Sequence, residues 1–304
     1  MSVILSGLAP IFILIVLGYG LRHFRVVDDA LWAPADRLNY VALFPALIIV
    51  TMARTDYEAV DVVPMAAAIV LSVGLVGAAV LASRRLAAVD GPELTSVFQG
   101  AVRFNSFVGL AIANALFGKP GLAMAALVIA VLIPVVNGPS IVLLARYGEN
   151  RRAGPGALIG ALVRNPILIA CAIGLSISAT GLQFPTIVGQ VLGTIAAASL
   201  PIGLLSVGGG LDFVAVRTGG RAVILASVAK LAVLPAVTYL ACELLGVGGV
   251  TQAIAVMFNA LPASISSYAL ARQMGGDHRL MAAILTVQTL LAAVTLPVVL
   301  LLVK

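Results

Sequence analysis

The sequence predicts an all-α integral membrane protein whose ten transmembrane helices form two inverted five-helix repeats, with helices 4 and 9 broken near mid-membrane. Three observations lead there. Of 304 residues, 62% are hydrophobic and 10% charged, against about 45–50% and about 25% in an ordinary soluble domain, which excludes a water-soluble globule. The apolar residues fall into ten runs bounded by charges, and a bilayer core ~30 Å thick needs roughly 20 of them per helix. Several short segments recur in order, about 156 residues apart.

The runs, in order, are 3–21, 38–52, 62–82, 94–117, 122–145, 157–180, 186–211, 222–245, 251–271 and 280–303. Each must be a helix, because backbone polar groups in lipid have to be paired internally and the alternation of a barrel strand is absent. Span 1 has no positive segment ahead of it and no evident cleavage site, so it reads as a retained helix, not a signal peptide. Span 2 carries Asn39, Tyr40 and Pro45. Span 3 is apolar apart from Ser72. Span 4 holds Arg103-Phe104-Asn105-Ser106 and has no proline between Pro92 and Pro120, so a break there relies on Asn105 and Gly109. Span 5 contains Pro134 and Asn137-Gly138-Pro139, and span 6 contains Asn165-Pro166, both read as helix punctuation. Span 7 has Ser199 and Pro201, span 8 Lys230 and Pro235, span 9 Asn259 to Tyr268 around Pro262, and span 10 Pro297.

Positive loops stay in the cytoplasm. Thirteen of the 18 Lys and Arg lie on the side of the loops after odd-numbered spans, from Arg22, Arg25 and Arg37 to Arg272 and Arg279 and counting Arg164 near the start of span 6; loops after even-numbered spans hold only Arg54 and Lys119. Both termini are therefore expected outside the cytoplasm. This distribution also accounts for the net charge of +6, which carries no nucleic-acid signature.

The repeat rests on four matches. Pro10-Ile11-Phe12-Ile13 returns as Pro166-Ile167-Leu168-Ile169, and Ala42-Leu43-Phe44-Pro45 as Ala198-Ser199-Leu200-Pro201, both at an offset of 156. Phe104-Asn105 pairs with Phe258-Asn259 at 154, and Val131-Leu132-Ile133-Pro134-Val135-Val136 with Val294-Thr295-Leu296-Pro297-Val298-Val299 in spans 5 and 10 at 163. Five helices is an odd number, so the copies enter the membrane from opposite sides, a transporter arrangement with its site at the repeat interface. The expected division is residues 1–148, a short cytoplasmic connector at 149–155, and residues 156–304.

Pro262 removes a backbone donor and frees nearby carbonyls, and a broken helix exposes an N-terminus that attracts anions. Matched Phe-Asn pairs in spans 4 and 9 favour a site over two independent kinks with serines bonded back to their own helices. The substrate-binding candidates are Asn105, Ser106, Asn259, Pro262, Ser264 and Ser267, with Pro45 and Pro201 as kinks beside them. Lys230 lies about nine residues into span 8, where a cation costs at least ~2.5 kcal/mol. It is expected to face inward and to find a partner or lose its proton, serving as a counter-charge for an anion or as a tether to a carbonyl. Arg103 is shallower and is expected to snorkel to the cytoplasmic interface. Cys171 and Cys242 read as small hydrophobes, and Gly156/Gly160 and Gly189/Gly193 fit a helix-dimer spacing that 30 glycines produce by chance.

Enzyme chemistry is not supported. His23 and His278 lie in loops, no Cys/His cluster exists for a metal, and Gly118-Lys119-Pro120 lacks the rest of a phosphate-binding loop. Gly275-Gly276-Asp277 reads as a turn or helix cap. No cofactor is expected. The expected partners are the bilayer and a small organic anion, without nucleic acid, and the oligomeric state stays open between a monomer and a homodimer.

Read together, Leu38 to Leu47 in span 2, Asn105-Ser106-Phe107-Val108-Gly109-Leu110-Ala111 in span 4 and Arg164-Asn165-Pro166 in span 6 resemble the auxin efflux carrier family. So do Leu200-Pro201 with Gly208-Gly209-Gly210-Leu211, Lys230 with Pro235, and Leu261-Pro262-Ala263-Ser264 through Asp277. That family includes plant PIN auxin carriers and malonate-permease-like proteins of bacteria. The resemblance covers essentially the whole chain. It implies a scaffold half and a transport half, crossing broken helices 4 and 9 as in sodium/proton antiporter and bile-acid symporter folds, and elevator-type movement of carboxylates across a bacterial cytoplasmic membrane. Relatives commonly have a proline where this chain has Ala111, so the resemblance implies a milder break in helix 4. Two other functions stay open: a sodium- or proton-coupled symporter or antiporter, disfavoured by the lack of a deep Asp or Glu, and a membrane sensor that binds without transporting, disfavoured by the short loops.

Overall fold

The computed structural model describes residues 2–55, 57, 62–84, 89–149, 160, 162–217 and 220–303, and the regular structure of these residues is entirely helical. The elements are α1 (Ser2–His23), α2 (Asp29–Leu38), α3 (Phe44–Met52), α4 (Val62–Ala82), α5 (Gly91–Val102), α6 (Ser106–Tyr147) and α7 (Pro166–Thr180). They continue as α8 (Thr186–Gly209), α9 (Phe213–Val216), α10 (Gly220–Val228), α11 (Leu234–Leu244), α12 (Gly249–Asn259), α13 (Ile265–Met274) and α14 (His278–Leu302). The expected connector, apart from Glu149, and the start of span 6 lie outside the described residues.

Among the described residues, seven helices are long and apolar enough to cross a membrane, against ten expected spans. The difference has three sources. Spans 4 and 5 form one run of 57 residues, Gly91–Tyr147, which at 1.5 Å per residue would reach about 85 Å if straight. It is interrupted at 103–105 and again at Gly118, whose backbone (φ 61°, ψ −151°) is open to glycine alone. The chain doubles back there: a Cβ on Gly121 would lie 2.7 Å from the Ala113 carbonyl, eight residues earlier. Span 6 is the 15-residue α7, and span 9 is divided into α12 and α13 of 11 and 10 residues, each too short to cross alone.

Two helices contain a π turn, at Asn39–Leu43 between α2 and α3 and at Ala229–Val233 between α10 and α11. Each ends one residue before a proline-bearing first turn, Pro45 or Pro235. A proline ring clashes with the carbonyl four residues earlier, and widening the turn relieves the clash without ending the helix. Both π turns bury a polar side chain completely, Asn39 and Lys230. Asn39 Nδ2 donates to the Ser199 carbonyl at 2.9 Å, and Ser199 Oγ donates to Asn39 Oδ1 at 2.9 Å, fastening this turn to α8.

The helices pack as two groups. In one, α1 lies along α8, and α3 packs on both α7 and α8. A Cβ on Gly18 would overlap the Leu205 carbonyl and one on Gly208 the Ile15 carbonyl, so α1 and α8 meet backbone to backbone. The glycine pairs singled out in the sequence do not do this: Gly193 and Gly160 have open space around them, Gly189 only ordinary contacts, and Gly156 lies outside the described residues. The second group contains α4, α5 and α10 to α14, and α6 contacts both groups. Gly275 (φ 75°) closes α13 and the Asp277 carboxylate caps α14 through the Leu280 N–H, as the Gly-Gly-Asp turn suggested.

Candidate functional site

The two helix breaks adjoin. In the first, α5 ends at Val102, residues 103–105 are extended, and Asn105 Oδ1 accepts from the Phe107 and Val108 N–H groups at 3.1 and 3.3 Å to start α6. Asparagine caps a helix because its short side chain satisfies N–H groups that have no intrahelical partner. The break is thus complete without a proline, and Ala111 sits buried inside α6, which corrects the expectation of a mild break. In the second, α12 ends at Asn259 and Ser264 caps α13, accepting from Ser266 N–H at 3.3 Å. Pro262 supplies no donor there, and the Ala263 N–H instead reaches Gln288 Oε1 of α14 at 2.9 Å. The other end of Gln288 donates to the Gly100 carbonyl of α5 at 2.9 Å and the Ala226 carbonyl of α10 at 3.3 Å. One side chain therefore holds both breaks. The Phe104 and Phe258 rings meet edge-on at 5.8 Å, and a Cβ on Gly109 would come within 2.6 Å of Leu261.

A cavity of about 520 Å³ opens where the breaks meet the other helix group. Its polar wall includes Asp36, Tyr40, Arg103, Asn105, Asn165 and Ser264, and Phe44, Phe107, Ile133 and Val136 form much of its apolar wall. Three helices, α6, α7 and α13, begin on it, capped by Asn105, Asn165 and Ser264. Helix N-termini carry partial positive charge and free N–H groups, so the wall suits an anion. A second recess of about 540 Å³ shares Asp36, Ile265 and Gln273 with the first and leads to Arg22 and Arg272, in the last turns of α1 and α13, and to the Asp212 cap of α9.

A larger space of about 1210 Å³ lies away from the breaks, lined by Arg54, Tyr57, Gln183 and Gln190. Burial pushes the Tyr57 phenol up to about 12, so among the described residues this recess presents neutral donors and one exposed cation. Its described lining has no helix break like those at 103–105 and 260–263 and no buried charge, and size alone does not make it the better site.

Of the residues expected in the site, Asn105, Ser106 and Ser264 are on the cavity wall. Asn259, Ser267 and Lys230 are fully buried but not on it. Asn259 Nδ2 donates to Thr238 Oγ1 at 2.8 Å, while its Oδ1 and the Ser267 hydroxyl have no partner among the described residues. Lys230 Nζ donates to the Val102 carbonyl at 3.4 Å, the C-terminal end of α5. Pro262 lies in the break, Pro45 follows wall residue Phe44, and Pro201 is exposed on α8. Arg103 does not snorkel: it is 7% exposed, and its Nη2 donates to Ser266 Oγ at 2.8 Å. A guanidinium at a helix break has acceptors close by in the protein, so it need not reach the interface. Arg103, Asp36, Tyr40 and Asn165 are among the wall residues not expected from the sequence. Tyr40 and Asn165 stood beside recognised prolines, and Asp36 carried no signal.

Comparison with known proteins gives two likenesses. Residues 156–300 match the family described as membrane transport protein. An uncharacterized transporter of Methanothermobacter thermautotrophicus is 23% identical over 293 residues, 94% of each chain, and so extends the similarity to the half that holds Asn105.

Proposed function

We propose that this chain, whose residues 156–300 match the family described as membrane transport protein and which is similar over most of its length to an uncharacterized transporter, is a secondary or facilitative carrier of small organic acid anions that works by elevator-type alternating access. The observation that carries the reading is the pair of adjoining helix breaks whose second halves, capped by Asn105 and Ser264, start on one cavity between two helix groups. In transporters built from inverted repeats, half-helix N-termini point at the anionic group of the substrate near mid-membrane. The breaks lie near the matched Phe-Asn pairs of spans 4 and 9, which supports ten helices in two inverted repeats joined near residues 149–155. The adjoining recess leads to Arg22 and Arg272 at the ends of α1 and α13, the side of the positive loops, so the cavity faces the cytoplasm, with both termini on the opposite side of a bacterial cytoplasmic membrane. Asn105, Ser106 and Ser264 line the substrate. Asn259, Pro262, Ser267, Lys230, Pro45 and Pro201 shape the elements that carry them.

Counterflow tests this directly. Purified protein in proteoliposomes preloaded with an unlabelled carboxylate should accumulate the labelled form transiently, for at least one of butyrate, malonate and phenylacetate. A thermal shift with one of these anions and no counterflow would replace the carrier by a sensor, because stabilisation reports binding alone.

Asp36 favours a second, compatible reading in which anion movement is coupled to protons. It is a carboxylic acid on the wall shared by both recesses, hydrogen-bonded to Ser206. Pyranine trapped in the vesicles should report a pH change with anion flux, and Asp36→Asn should abolish the pH change while flux persists. Flux that follows a sodium gradient instead would favour the sodium-coupled alternative.

A further inference from the structure

We infer that Arg103 anchors the carboxylate of the transported anion, exchanging its hydrogen bond to Ser266 for a paired contact with the substrate; this rests on the carboxylate reading above. Arg103 is 7% exposed, yet it forms part of the cavity wall. Its acceptors are neutral: Ser266 Oγ at 2.8 Å and Gln99 Oε1 at 3.4 Å. Among the described residues the ion pair within 4 Å is Arg22–Asp29, far along the chain, so Arg103 has no carboxylate partner. A buried cation without a counter-ion is costly, and the cost is lifted when an anion binds beside it. The guanidinium is a planar fork of five donors, of which two are engaged here, and that fork matches a carboxylate bidentately.

The surroundings fit the same role. Arg103 lies in the extended segment two residues ahead of the Asn105 cap of α6, and Ser266, in the first turn of α13, accepts from its guanidinium, so the cation sits at the break that links α5 to α6 and against the start of α13. Ser266 Oγ also bonds Ser264 Oγ at 3.0 Å, and Ser264 caps α13, so releasing Arg103 leaves Ser266 with a partner and the cap intact. The other charged wall residues do not compete for the anion in the same way: Asp36 repels it, and Arg37 is exposed. Lys230 is held by the Val102 carbonyl and is absent from the wall.

The test compares wild type with Arg103→Gln, Arg103→Lys and Arg103→Met, each reconstituted as the full chain, using labelled butyrate, malonate and phenylacetate in counterflow. Arg103→Gln should raise the half-saturating concentration of a transported carboxylate by about 10- to 100-fold. It should also abolish the thermal shift given by that carboxylate, while leaving the anion-free unfolding temperature unchanged or higher. Arg103→Lys should recover part of the affinity, since it keeps the charge but not the fork. If Arg103→Gln fails to fold, Arg103→Met provides the neutral side chain. A neutral variant with wild-type half-saturation overturns the role of Arg103 and leaves the carrier reading standing. Wild-type protein that neither moves nor binds any of the three anions overturns the carboxylate reading, and the anchor with it.

Discussion

Arg103 and Lys230 are both buried cations in an apolar chain, and their positions separate binding from scaffolding. Lys230 approaches the carbonyl end of α5, where a positive charge is favoured by the helix dipole and satisfies an orphan carbonyl. Lys230→Ala is accordingly expected to slow maximal uptake by about tenfold with little change in half-saturation, the reverse of the Arg103→Gln pattern; saturation curves in proteoliposomes distinguish the two. Depth in span 8 was enough to mark Lys230 as unusual. Its direction was not legible, because an ammonium on a four-carbon stem reaches several neighbours and only the packed structure selects one. Arg103 was misread for the same reason: snorkelling is the cheapest solution for a lone arginine near an interface, and Ser266, 163 residues away in sequence, offers a closer one.

At the scale of elements, the breaks depend on polar side chains that replace lost backbone bonds. Gln288 satisfies the Ala263 N–H and the carbonyls of Gly100 and Ala226 in a buried environment. Gln288→Leu should destabilise the protein by about 1–3 kcal/mol for each group left unpaired, measured as a lowered unfolding temperature in detergent. The α1–α8 contact is equally restrictive, since any Cβ at Gly18 or Gly208 meets backbone. Gly208→Leu should cost about 3 kcal/mol by overpacking, whereas Gly193→Leu, in open space, should be neutral in the same measurement. Pro262 announced the second break, but the first had no such marker; Asn105 achieves it by capping, and an asparagine inside an apolar run is ambiguous between a cap and a bond to its own helix.

For the whole molecule, α6 bridges the two helix groups and meets α8 of the first at Phe107, where a Cβ on Gly203 would come within 2.5 Å of the Phe107 ring. If the groups slide past one another during transport, a disulfide there must stop them. A Gly203→Cys, Phe107→Cys protein in a background lacking Cys171 and Cys242 should lose counterflow on oxidation and regain it on reduction; undiminished counterflow in the cross-linked protein would refute relative movement at this contact. The residues by themselves determined that the chain lies in a membrane and where most of its helices fall, because lipid demands long apolar runs and paired backbones, and both demands are local. They also marked the loops that carry positive charge and the two spans that break. Only the tertiary structure decided which polar groups share a cavity: Arg103, Asp36 and Asn165 join Asn105 and Ser264 there, while Lys230 and Asn259 turn away. That choice depends on how helices far apart in sequence rotate against each other, and a one-residue rotation of about 100° moves a side chain from cavity to core.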